Sequence, residues 1–373
     1  MKIIHTSDWH IGRFLNNYSL LEDQQHFLNW LLLFLKEESV DLLIIAGDIY
    51  NSATPSAAAV AVLDEFFSKV VLELKKKVLI IAGNHDSPEK LGFSSKILEK
   101  SGFYIATTLK DIKTVKLKST DFSLGITLLP YISPANVKQE HKNKNIKNFN
   151  EAINLIYDIY LKNKPSYDFN FLCAHGLFFK AGDGDVKYSD SELEIGGCDV
   201  ANFNIFKDFS YIALGHLHRA QNVGENGRYS GSPLKYSVSE ANNKKQLTLI
   251  EISRKTGLKI SEVLIKPLRD LKILTGCFKD VVNGKTDDFV SIKLTDKEFV
   301  IDSYARLKNN YKNILDIEFL NLNLDFKESF KVSKNVSPEN LFKSFYRFVV
   351  GEDMKDVEVK FLKNVVELVN SKD

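Results

Sequence analysis

The chain has 373 residues, 44% hydrophobic and 26% charged, with 50 Lys and Arg against 48 Asp and Glu and a formal net charge of +2. That length exceeds one ordinary domain, the composition excludes wholesale disorder, and so small a charge surplus excludes a uniformly basic polyanion binder, so any nucleic-acid contact must be local. Three cysteines, Cys173, Cys198 and Cys277, are widely spaced and odd in number, which argues against a disulfide framework or structural zinc site and fits a reducing cytoplasm.

Lys2 to Thr6 reads as a short buried strand and runs directly into Ser7-Asp8-Trp9-His10. It carries no apolar segment of signal-peptide length. A helical pattern follows from Leu20 to Glu38; its most apolar part, Trp30 to Leu35, is far too short to span a membrane. Leu42 to Ala46 is a second strand, followed by Gly47-Asp48. Thr54-Pro55 then opens a helix over Ser56 to Lys75. Val78 to Ala82 leads into Gly83-Asn84-His85-Asp86. Residues 138 to 148 form a polar, basic tract expected to be a surface loop, ahead of a helical pattern from Phe149 to Lys162. Asn170 to Ala174 leads into His175-Gly176, and Tyr211 to Leu214 into Gly215-His216-Leu217-His218. Strands alternating with helices imply a layered α/β sheet, whose ligands bind beyond the carboxyl ends of the strands, where all these polar turns fall.

Later, Gln246 to Ser253 and a run towards Lys266 read as strands that complete the sheet layers, giving a first domain over 1–266. From Pro267 the chemistry-bearing residues stop. Strand-like segments at Leu271 to Leu274, Val290 to Leu294 and Leu315 to Leu320, with a helix at Ile301 to Tyr311, predict a small α/β capping domain over 267–336. The tail, 337–373, reads as two helices, opened by Ser337-Pro338-Glu339 and separated near Gly351. In the last helix Val357, Phe361, Val365 and Val369, flanked by Leu362, Val366 and Leu368, give a wide apolar face that either the chain's own cap or a partner protein must cover. Gly284-Lys285-Thr286 imitates the end of a phosphate-binding loop, but Lys279 stands where the first glycine is needed.

Phosphodiesters resist hydrolysis because an anionic centre repels an anionic nucleophile. Two divalent cations that clamp the attacking and leaving oxygens remove the obstacle, and such a site needs a bridging carboxylate with further oxygen and imidazole ligands. Asp8 and His10 flank one residue, as do His216 and His218, so on an extended turn each pair points one way. A lone histidine after a strand is more often a hydrogen-bonded core residue; His5, His26 and His141, in a strand, a helix and a basic loop without a partner ligand, are read as structural or solvent-exposed. Five such turns in succession point instead to a metal centre.

The series Asp8-x-His10, Gly47-Asp48, Gly83-Asn84-His85-Asp86, His175 and Gly215-His216-x-His218 resembles that of the calcineurin-like metallophosphoesterases. Ser7-Asp8-Trp9-His10-Ile11-Gly12 and Tyr229-Ser230-Gly231-Ser232-Pro233 look most like the DNA-repair nuclease subunits of that superfamily. The resemblance implies a layered β-sandwich flanked by helices, with the small cap and C-terminal helices outside it. It implies one metal held by Asp8, His10, Asp48 and His218 and another by Asp48, Asn84, His175 and His216, with Asp48 as the bridge. His85 would act on the leaving oxygen as the catalytic side chain, with Asp86 orienting its ring. Manganese is the expected metal. The implied activity is that of a 3′-to-5′ double-strand exonuclease and hairpin or single-strand endonuclease, acting on double-stranded DNA ends and hairpins in repair, recombination and replication. A coiled-coil ATPase of the SbcC type would dock on the C-terminal helices, and the nuclease subunit itself would be a homodimer. The alternative is another enzyme on the same core, a small-nucleotide phosphodiesterase or phosphoprotein phosphatase. It is disfavoured because Asp86 stands where phosphoprotein phosphatases usually have Glu.

Overall fold

A computed structural model describes residues 1–142, 145–180, 200–298, 300–321, 338–350 and 352–370. Two six-stranded sheets face one another. The first runs, in spatial order, Gly257–Leu264, Gln246–Ser253, Lys2–Thr6, Leu42–Ala46, Lys77–Ile81, Phe103–Ala106; the second Gln221–Val223, Gly227–Tyr229, Tyr211–Gly215, Phe169–His175, Ser123–Leu129, Lys113–Lys118. Four neighbouring strands of each sheet are parallel; two antiparallel strands extend the first sheet on one side, and one antiparallel strand closes each edge of the second.

The continuous apolar runs follow from burial on both faces, as expected of parallel strands covered by helices. Ile3, Leu42, Ile44, Leu79 and Ile81 point between the sheets, against Leu124, Ile126, Phe171, Tyr211 and Ala213. Their neighbours Ile4, Leu43, Ile45, Val78 and Ile80 point outwards under Phe27, Leu31 and Leu35 of helix Leu21–Glu37 and Leu63 and Phe66 of helix Ala57–Ser68. The second sheet's outer face is closed by Phe149, Ile153 and Ile156 of helix Phe149–Ile156. Each fully buried aliphatic side chain contributes roughly 1.5–3 kcal/mol of transfer free energy, so neither face tolerates a polar residue without a partner.

Helix Ala57–Ser68 starts one residue later than the expected Ser56, because the Ser56 hydroxyl accepts from the Ala59 N–H and caps it. The basic tract is not wholly a loop, since residues 138–140 close helix Pro134–Glu140; residues 143 and 144 lie outside the described residues. Cys173 and Cys277 are free thiols, while Cys198 lies outside the described residues. No helix among the described residues is long and apolar enough to cross a membrane.

After Pro267 come three parallel strands, Leu271–Gly276, Thr286–Leu294 and Tyr311–Phe319, crossed by short helices Phe278–Val281 and Ser303–Lys308 around their own core of Phe278, Val290, Ile292, Leu294, Leu307 and Tyr311. The last helix is shorter than the expected Ile301 to Tyr311, because Asp302 sits in the left-handed region (φ 56°) and Tyr311 already pairs as a strand. This small sheet docks through Leu271 and Phe289 onto Leu15, Leu20, Leu234 and Tyr236. Arg269 adds ion pairs to Glu22 (2.9 Å) and Asp23 (2.5 Å). Residues Met1–Leu320 form one compact unit and Asn321–Asp373 another. The second contains helices Pro338–Val350 and Asp356–Asn370, joined by a bond from the Tyr346 hydroxyl to Glu358 (3.2 Å). Ser337 and Gly351 lie outside the described residues.

Candidate metal centre

The parallel strands of both sheets deliver their carboxyl ends to one place. Asp8 and His10 follow Lys2–Thr6, Asp48 follows Leu42–Ala46, Asn84 and His85 follow Lys77–Ile81, His175 ends Phe169–His175, and His216 and His218 follow Tyr211–Gly215. The Asp48 Oδ2 atom lies 3.6 Å from His10 Nε2 and 3.5 Å from His175 Nε2, between the two flanks of the cluster. On one side His10 Nε2 is 3.1 Å from His218 Nε2; on the other Asn84 Oδ1 is 3.0 Å from His175 Nε2 and 3.3 Å from His216 Nδ1. Donor atoms of Asp8, His10 and His218, of Asp8, Asp48 and His175, and of His10, Asp48 and His85 each lie within 4.8 Å of one another. All eight residues expected at the centre are therefore brought together.

The backbone there is strained. Asp8 (φ 55°), His10 (φ 44°), Asp48 (φ 52°) and His216 (φ 111°) all lie at positive φ, a cost of about 1–3 kcal/mol each that persists only where the surroundings impose it. The expected extended turn at Asp8-x-His10 is thus corrected: left-handed residues, fixed by bonds from Asp8 N–H to the Gly47 carbonyl and from His10 N–H to the Asp48 carbonyl (both 3.0 Å), aim the side chains. Gly83 is required because a Cβ there would strike Asp48 Oδ1.

The site atoms are held from behind. Asp8 accepts from the His216 N–H (3.0 Å) and the Ser7 hydroxyl (2.5 Å), and Asp48 Oδ1 from the His85 N–H (3.0 Å). His175 Nδ1 donates to the Ala46 carbonyl (2.7 Å) and His218 Nδ1 to Glu240 Oε1 (3.3 Å), so both rings turn Nε2 to the cluster, where it becomes the ligand atom once unprotonated. Glu240 is fully buried and paired with Lys245 (2.6 Å), which also donates to the His218 carbonyl (2.8 Å) and the Ser232 hydroxyl (2.7 Å). Neither Glu240 nor Lys245 was singled out from sequence, where nothing marks them but their place shortly after Gly231-Ser232-Pro233.

Asp86 does not orient the His85 ring as expected. Its carboxylate accepts from the N–H groups of Ile49 (3.1 Å), Tyr50 (2.9 Å) and Gly83 (2.9 Å), tying two ligand loops together, because three converging backbone donors satisfy it fully. The His85 ring is oriented instead by the Asn51 carbonyl, 3.2 Å from Nδ1. A carbonyl can only accept, so Nδ1 keeps its proton, and a second proton, taken up on Nε2 to give the imidazolium, is the one a leaving oxygen would receive.

Burial dominates the electrostatics. It raises Asp8 to about 6 and, reinforced by Asp48, Asp86 also to about 6, and it pushes His10 well below and His216 down to about 3. Burial opposes the charge on His175 too, but Asp48 and Asp8 outweigh it and hold that imidazole at about 9. Carboxylate oxygens, an amide oxygen and imidazole lone pairs aimed into one buried space fit hard to borderline divalent cations. His5, adjacent in sequence, stays outside: its ring binds the Tyr211 hydroxyl and the Leu214 carbonyl.

The model of the calcineurin-like phosphoesterase family matches residues 1–220. The SbcD component of the SbcCD nuclease of Staphylococcus epidermidis is 31% identical over 380 residues, spanning 99% of this chain and 99% of that protein. Among solved structures, GAP50, the anchor in the inner membrane complex of Plasmodium, has a TM-score of 0.43 at 13% identity, covering 71% of this chain and 89% of its own. A dimetal phosphatase from Danio rerio has a TM-score of 0.40 at 13% identity, covering 72% and 98%. Likenesses at that level do not bear on activity.

Proposed function

The chain belongs to the calcineurin-like phosphoesterases, and from that premise we propose that it is the nuclease subunit of a DNA repair complex of the SbcC/SbcD kind. The observation that carries the reading is a match at 31% identity along 99% of both chains, joined to a complete set of ligand-type side chains around Asp48. Asp8, His10, Asp48 and His218 would hold one divalent ion and Asp48, Asn84, His175 and His216 the other, with manganese the metal that suits this oxygen and imidazole set. Bound there, the pair supplies an activated water and neutralises charge on the phosphodiester. The protein's own contribution is orientation: Asp86 fixes the two loops bearing Asp48 and Asn84, and Asn51 holds the His85 ring so that Nε2 can pass a proton to the leaving oxygen.

The substrate is duplex DNA, at ends and hairpins, cut with 3′-to-5′ polarity in the cytoplasm alongside a coiled-coil ATPase of the SbcC type. The cap over 267–336 selects DNA shape, and the helices of 337–373 receive the ATPase. A homodimer accounts for the exposed Val60, Leu72 and Phe93, which border a cavity of about 360 Å³ between apolar side chains; sedimentation as a monomer would remove that part. The main test is cleavage of 3′-labelled duplex by the full chain with Mn²⁺. His85→Ala should lower the rate by about 10²–10⁴-fold, the usual worth of a general acid, while bound metal per chain stays unchanged. Equal rates for the two proteins would refute the role of His85, and hydrolysis of mononucleotide esters but not of DNA would favour a small-nucleotide phosphodiesterase.

A further inference from the structure

Arg13 follows the Asp8-x-His10 turn, and its N–H donates to the His10 carbonyl (3.0 Å). Its guanidinium lies over the Tyr236 ring, 4.9 Å from the centroid. That ring meets His10 and His218 edge-on, at centroid distances of 5.4 and 5.3 Å. Nη1 donates to Asn51 Oδ1 (3.3 Å), on the residue whose carbonyl orients His85. Arg13 therefore stands one aromatic ring from two proposed ligands and one residue from the proposed acid.

What the described residues do not give it is an anion. Arg269, the comparable arginine at the cap junction, is neutralised by Glu22 and Asp23. Among the described residues no carboxylate pairs with Arg13, and its enclosed Nε has no hydrogen-bond partner. The Nε–Nη2 edge left over is the fork that matches two oxygens of one phosphate. An unpaired guanidinium and an orphaned N–H both cost free energy, the more so beside a centre built to gather cations. An anionic ligand at the Nη2 end relieves the first.

We infer that Arg13 is a substrate-binding residue, holding a non-bridging oxygen of a phosphate on the DNA strand being cut. The Nη2 end meets the phosphate first, because Nε is enclosed. Tyr236 and Asn51 hold the guanidinium in place beforehand, so little side-chain entropy is lost on binding. The assignment rests on the reading of the chain as a DNA phosphodiesterase.

The test uses the full chain loaded with Mn²⁺ and two substrates over a range of salt: a fluorescent DNA duplex, and bis(p-nitrophenyl) phosphate as a single phosphodiester. Arg13→Gln should raise KM for DNA about tenfold, the worth of one charge-assisted bond, with a smaller change in kcat and no change in bound metal. The logarithmic salt dependence of KM should become shallower by about one, as expected when one phosphate contact is removed. Arg13→Lys, which keeps the charge but not the fork, should fall between. Loss on both substrates puts Arg13 on the scissile phosphate; loss on DNA alone puts it on a neighbouring one. Wild-type KM and salt slope in Arg13→Gln would overturn the assignment, and so would loss of metal together with activity, the mark of a mere brace. A wild-type chain that cuts neither substrate takes down this assignment and the nuclease reading together.

Discussion

His218 shows how little of a ligand's support lies beside it in sequence. Its type and spacing are visible in Gly215-His216-Leu217-His218, but the carboxylate that fixes its tautomer, Glu240, and the lysine that grips its carbonyl, Lys245, come from a later segment. Sequence gives no period or motif for such partners, since they are defined by what they touch. Supporting groups of this kind usually tune metal affinity by about 10–100-fold. Glu240→Ala should therefore weaken Mn²⁺ binding by about that factor in calorimetric titration, with Glu240→Gln, which keeps an acceptor oxygen, less affected. Lys245→Met is expected to be worse for folding than for metal, because it removes the cation beside the buried Glu240 carboxylate at a cost of about 3–5 kcal/mol, measurable by urea denaturation. Unchanged affinity in Glu240→Ala would show that the ring holds its orientation without it. Asp86 is the opposite lesson: the motif named the residue, and its three backbone donors assigned it to the loops rather than to the His85 ring.

At the level of elements, most strands covered on both faces were legible, because a run such as Leu42–Ala46 has no polar alternative; Ser123–Leu129, buried from Leu124 on, was missed because no ligand-type turn follows it to draw notice. Lys113–Lys118 passed unnoticed, since its edge position lets Lys116 and Lys118 face water and dilutes the apolar signal. Gly227–Tyr229 escaped for being only 3 residues long. In the C-terminal unit the apolar face read from sequence is partly exposed, with Val357 80% and Phe361 71% accessible while Leu362 is buried, alongside the exposed Phe342 and Phe345 of the preceding helix. Such a face is the kind an amphipathic partner helix covers. Deleting residues 338–373 should spare hydrolysis of bis(p-nitrophenyl) phosphate and abolish co-purification with the coiled-coil ATPase. Undiminished co-purification would place the docking surface elsewhere.

For the molecule as a whole, the centre is assembled from both sheets, so metal and fold must be linked. A ligand that binds only the folded state at a hundred times its Kd adds about 2.7 kcal/mol. Chelation should accordingly lower Tm, and the gap between loaded and stripped protein should shrink as pH falls from 9 to 6. The sign follows from the protons displaced: metal needs Asp8 as carboxylate and His175 neutral, whereas without metal these groups hold protons up to about 6 and about 9. A Tm indifferent to chelator at every pH would mean that no cation is held. The sequence by itself determined a layered α/β arrangement and the ligand types, because buried parallel strands need unbroken apolar runs and two-cation hydrolysis needs a fixed set of oxygen and nitrogen donors; the two-sheet sandwich came only with the family resemblance. Only the tertiary structure decided which carboxylate stands between the flanks, what orients each ring, and that no carboxylate among the described residues pairs with Arg13. Those depend on distances between residues up to two hundred positions apart, which strand pairing and sheet packing set and local pattern does not encode.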